Sequence, residues 1–66
     1  MAITANTFFP SKSTADKAKI QSLLDVLAAG AHKDTVLSGA TQLGAQMGGA
    51  DRDQLMSIVR QQLAAR

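Results

Sequence analysis

The chain has sixty-six residues, no cysteine, tryptophan or tyrosine, and a net charge of +2 from seven Lys and Arg against five Asp. That length allows one small domain with a thin core, for which a partner or self-association is a realistic source of extra stability. Disulfides, thiolate metal sites and thiol catalysis are excluded by composition, and no apolar run reaches the 18 or so residues of a membrane span.

Residues 1–12 read as an extended arm. Ile3, Ala5 and Thr7 alternate with Thr4 and Asn6, and Pro10 disfavours the helical region for Phe9. The start has neither a charged n-region nor a continuous apolar h-region, so no secretory signal is expected. Phe8 and Phe9 are the only aromatic residues. Just ahead of a helix cap, one ring suits a hydrophobic staple over the open end of the fold. The other reading makes Ile3, Phe8 and Phe9 contacts to a neighbour, with the stretch from Ile3 to Thr7 adding to a foreign sheet edge.

A first helix is predicted over 14–29. Ser13 and Asp16 have the form of a capping box, with Asp in place of Glu or Gln. Ile20, Leu23, Leu24 and Leu27 follow the stripe that a buried helix face requires, and Val26 falls outside it. Gly30 marks the stop.

A second helix is predicted over 35–47, opened by Asp34, with Val36, Ala40, Leu43 and Met47 on its buried line. Gly39 and Gly44 each cost about 1 kcal/mol relative to alanine. The recurrence of Ala40, Gly44 and Gly48 at every fourth residue permits the close approach of another backbone. Between Thr35 and Ala50 there is no charged residue. Exposed helices usually carry charge, and the centres of interfaces are depleted in it. The outward positions Gln42, Ala45 and Gln46, with Ser38 and Thr41, are therefore candidate partner contacts.

A third helix is predicted over 52–65. Asp51 is its expected cap, Gln54 stands at the reciprocal capping position, and Leu55, Ile58, Val59 and Leu63 form the apolar arc. The short connections favour antiparallel neighbours. The expected fold is all-α: a three-helix bundle (up-down-up) over 13–66, preceded by the arm.

No chemistry emerges from the motifs. His32 has no nucleophile or orienting partner, Asp51-Arg-Asp53 lacks the later ligands of a calcium loop, and the glycines fit no phosphate-loop spacing. No enzyme activity, cofactor, metal or small-molecule substrate is expected. The Ala40 and Gly44 pair resembles the small residue and turn glycine of helix-turn-helix DNA-binding families. That resemblance fails at Gly48-Gly49-Ala50, where a recognition helix would need base-reading side chains.

The expected function is a non-enzymatic interaction module, an accessory or structural subunit of a larger assembly such as a virion or bacterial particle. Its expected location is the cytoplasm or a particle assembled there. The alternatives are a free-standing regulator of one protein target, and a weak nucleic-acid binder using Lys12, Lys17, Lys19 and the C-terminal arginines.

Overall fold

The structure, a computed structural model, describes residues 4–66, which are all-helical with no strand among them. Four helices follow in order: α1 (Ala5–Phe8), α2 (Thr14–Ala28), α3 (Lys33–Met47) and α4 (Gly49–Ala64). The three long elements match the sequence expectation in number and order. The extended arm does not: residues 5–8 form a helical turn that rests on α2. Pro10 restrains only the residue before it, and Phe9 is indeed non-helical at φ −133° and ψ 58°. Burial of Ala5 and Phe9 in the common core overrides the weak alternation that suggested a strand.

The α2 stripe behaves as its spacing requires. Ile20, Leu23, Leu24 and Leu27 are all buried, and Val26 is 45% exposed. The Ser13 side chain accepts a hydrogen bond from the Asp16 amide at 3.2 Å, closing the first turn. At the other end Gly30 takes φ +91°, a conformation an L side chain rarely adopts.

Helix α3 begins earlier than Asp34 would place it. The cap is His32, whose Nδ1 accepts from the Asp34 amide at 3.2 Å. Its inward face is Val36, Ala40 and Gly44, with Leu43 and Met47 only half-buried. Gly44 thus takes a core position that the hydrophobic pattern had given to larger residues.

The chain reverses between α3 and α4 on Gly48 and Gly49 alone, at φ +72° and +55°. Helix α4 therefore starts three residues before the sequence-based boundary at Arg52. Asp51 lies in its first turn as an ion-pair partner of Lys12 rather than as its cap. Gln54 donates to the Phe8 carbonyl at 3.2 Å, tying α4 to the N-terminal segment. Leu55, Ile58 and Val59 complete the core, and α3 packs most extensively against α4. At the far end, the Arg66 guanidinium donates to the Leu27 carbonyl at 2.8 Å, so the chain terminus caps a carbonyl of α2.

Candidate functional site

Helix α3 presents its uncharged side to solvent. Ser38, Thr41, Gln42, Ala45 and Gln46 are all exposed, and they follow the i, i+3, i+4, i+7, i+8 spacing of one helix face. The side chain of Thr41 donates to the Leu37 carbonyl at 2.8 Å, which hides part of its polarity within the helix. The face is thus small, neutral and built on a regular helix.

A groove flanks this face on each side. Between α2 and α3 lies a depression of about 280 Å³ lined by Lys19, Leu23, Gly39, Gln42, Leu43 and Gln46. Gly39 lines it with bare backbone, and a Cβ there would meet the Leu23 Cδ1 at 3.3 Å. Between α3 and α4 lies a larger groove of about 540 Å³, with Leu37, Met56 and Leu63 along it and Lys33 and Arg60 at its walls. Two of the predicted contact residues, Gln42 and Gln46, stand together at the smaller groove, and Ala45 projects from the same exposed face.

The aromatic pair separates. Phe9 is 3% exposed and belongs to the core, whereas Phe8 is half-buried against it. The Phe9 ring is therefore part of the core, and of the two predicted aromatic contacts only Phe8 keeps exposed surface. The predicted contact residue Ile3 lies outside the described residues. Three further ties hold the segment down: the Ala5 amide donates to Gln21 Oε1 at 2.7 Å, Lys17 Nζ donates to Asn6 Oδ1 at 2.8 Å, and Lys12 pairs with Asp51. In its described part this segment is a component of the fold.

The cations do not converge on one surface. Lys12 and Lys17 serve the N-terminal ties, Arg66 serves the α2 carbonyl, and Arg52 lies 3.7 Å from the Asp53 carboxylate. Lys19, Lys33 and Arg60 have no ion pair among the described residues, and the first of these lies at a different groove from the other two. The Lys12 ammonium is pushed above the ordinary lysine value by its hydrogen bond to Asp51, against a smaller opposing effect of burial.

Among the described residues no three His, Cys, Asp or Glu side chains converge as they would around a metal ion. No described helix is long and apolar enough to cross a membrane. His32, the lone imidazole, is exposed and occupied with the α3 amide. What sequence reasoning missed is the α3/α4 groove. Lys33, Leu37 and Thr41 lie on one helix and Met56, Arg60 and Leu63 on the next, and only the register between the two helices brings them together.

No protein-family model matches the chain, and no curated protein or solved structure is significantly similar to it.

Proposed function

We propose that this chain is a non-enzymatic protein–protein interaction module, a small accessory or structural subunit of a larger assembly. It meets its neighbour through the exposed face of α3, with Gln42, Ala45 and Gln46 at the contact. The observation that carries this reading is the absence of charge from Thr35 to Ala50, on a helix whose outward face is open to solvent. A solvated helix gains solubility from charge at such positions, whereas an interface centre loses stability from it. On this reading α2, α3 and α4 act as an up-down-up scaffold, and half-buried Phe8 extends the contact at the N-terminal edge. A virion or comparable bacterial particle, assembled in the cytoplasm, is the kind of structure such a subunit suits.

Charge placed on the face tests it. Gln42→Lys and Ala45→Glu are exposed changes and should leave the helical content and melting temperature of the isolated chain near wild type. Both should weaken its association with the assembly from which it is isolated, read by native mass or sedimentation. Association equal to wild type in both variants contradicts the proposal. A one-to-one complex with a single free protein would favour the regulator reading over the subunit reading.

A further inference from the structure

The groove between α3 and α4 has a character that the neutral face lacks. Its apolar line is Leu37, Met56 and Leu63, each only partly buried, so these side chains retain surface that water still covers. Lys33 stands on the α3 wall and Arg60 on the α4 wall. The two helices run back along each other from Gly48, and Gly44 lies against Arg52 near that reversal. Lys33, Leu37 and Thr41 line the groove from α3, and Met56, Arg60 and Leu63 line it from α4. The groove therefore runs along about two turns of helix, on the order of 12 Å at 1.5 Å per residue, with one cation on each side.

We infer that this groove docks an acidic amphipathic helix of another protein, with apolar residues on one stripe and carboxylates on both flanks. The charge pattern selects the occupant: two cations without an ion pair among the described residues bracket an apolar line, which is the complement of that helix. A second copy of the chain fits poorly. Val26 is the one exposed large hydrophobic among its described residues, and the adjacent Asp25 is bonded to Gln21. The inference does not rest on the neutral face, since none of Gln42, Ala45 and Gln46 lines this groove.

The test uses the full chain and a fluorescein-labelled fourteen-residue helical peptide bearing a Leu stripe flanked by Glu, with a second peptide carrying Lys at every Glu. Fluorescence anisotropy should show saturable binding of the acidic peptide, weaker at raised salt, and at least about tenfold weaker binding of the basic one. The double variant Lys33→Glu/Arg60→Glu should lower the affinity for the acidic peptide by about tenfold or more and reverse the preference between the two. Peptide binding is read on the isolated chain, whereas the neutral-face reading is tested by association with the assembly, so failure of this inference is distinguishable from failure of that one. Circular dichroism of each variant establishes that the fold is retained. Equal affinity for both peptides, indifference to the charge reversals, or displacement of the peptide by a second copy of the chain in sedimentation would overturn the inference. So would displacement by a free alkyl carboxylate such as laurate at lower concentration than the peptide itself.

Discussion

A β-carbon built on Gly44 would lie 2.8 Å from the Cγ of Arg52, a separation that real side chains do not adopt. The glycine is what lets the first turn of α4 lie against α3 so soon after the reversal at Gly48. Cγ is close to the root of the arginine side chain, so relief requires a new χ1 angle or movement of the helix. Gly44→Ala gains about 1 kcal/mol of helix propensity but faces an overpacking cost of about 1–3 kcal/mol. The net outcome is a change between zero and a loss of about 2 kcal/mol by thermal or urea unfolding. In an Arg52→Ala background the obstruction is gone, and the same substitution should stabilise by about 1 kcal/mol. A full propensity gain in the wild-type background would show that α3 and α4 are less closely apposed.

Gly39 offers the contrast. There the obstacle is Leu23 Cδ1 at 3.3 Å, the far end of a flexible side chain that can yield by a few tenths of an ångström. Gly39→Ala should therefore be the better tolerated of the two, with a gain of about 0.5 kcal/mol once the propensity effect is partly offset. The ordering of these two alanine variants matters more than either magnitude.

Phe9 is buried among residues of the common core, although it precedes the first long helix. Phe9→Ala removes a buried aromatic ring at a cost of about 3–5 kcal/mol, comparable to the whole stability of many domains this small. The variant should be largely unfolded at room temperature by circular dichroism. Phe9→Leu should remain folded, with a loss of about 1 kcal/mol. Deleting residues 1–10 removes the same ring, so that truncation reads folding rather than partner contact. A deletion variant that melts like the full chain would contradict the placement of this segment.

The Lys12–Asp51 pair gives a pH dependence of defined sign. The lysine value is raised in the folded chain, chiefly by its hydrogen bond to Asp51. The folded state therefore holds its proton more tightly than the unfolded state. The resulting stabilisation is fully present below the ordinary lysine value and disappears as pH climbs through the raised one. Comparing the melting temperatures of wild type and Lys12→Gln over roughly pH 8 to 11 isolates this contribution from the other lysines. The difference between them should hold below the ordinary lysine value and narrow progressively as pH rises above it. A constant difference would mean that the pair contributes nothing beyond the aliphatic packing of Lys12.

Much of this architecture is legible in the residues. The Ser13 cap and the spacing of Ile20, Leu23, Leu24 and Leu27 specify α2 and its buried face, and they leave Val26 outside, where it is found. The α3 start was less legible because His32 supplies the cap through Nδ1, a role usually taken by Ser, Thr, Asp or Asn. The α4 start lies ahead of the expected boundary because Asp51, although a favourable cap residue, does not cap the helix. In the fold the two glycines make the whole reversal, and Asp51 is pulled into a pair with Lys12. The N-terminal helix left no signal in periodicity: four residues are too few for one, and long-range contacts to Gln21 and Gln54 hold that segment. Of the candidate contacts, the outward positions of α3 followed from helical spacing. The α3/α4 groove did not, because it depends on the register between two helices.

The central claim is that the Gln42, Ala45 and Gln46 face of α3 is covered in the working assembly. The chain has no cysteine, so a thiol placed at one position reports on that position alone. Ala45→Cys and, as the control on the exposed side of α2, Ser22→Cys should react with a maleimide at similar rates in the isolated chain. In the assembled state the thiol at position 45 should slow by an order of magnitude or more, as expected of a residue buried in an interface, while that at position 22 is unchanged. Equal labelling of position 45 in the free and assembled chains would contradict the account.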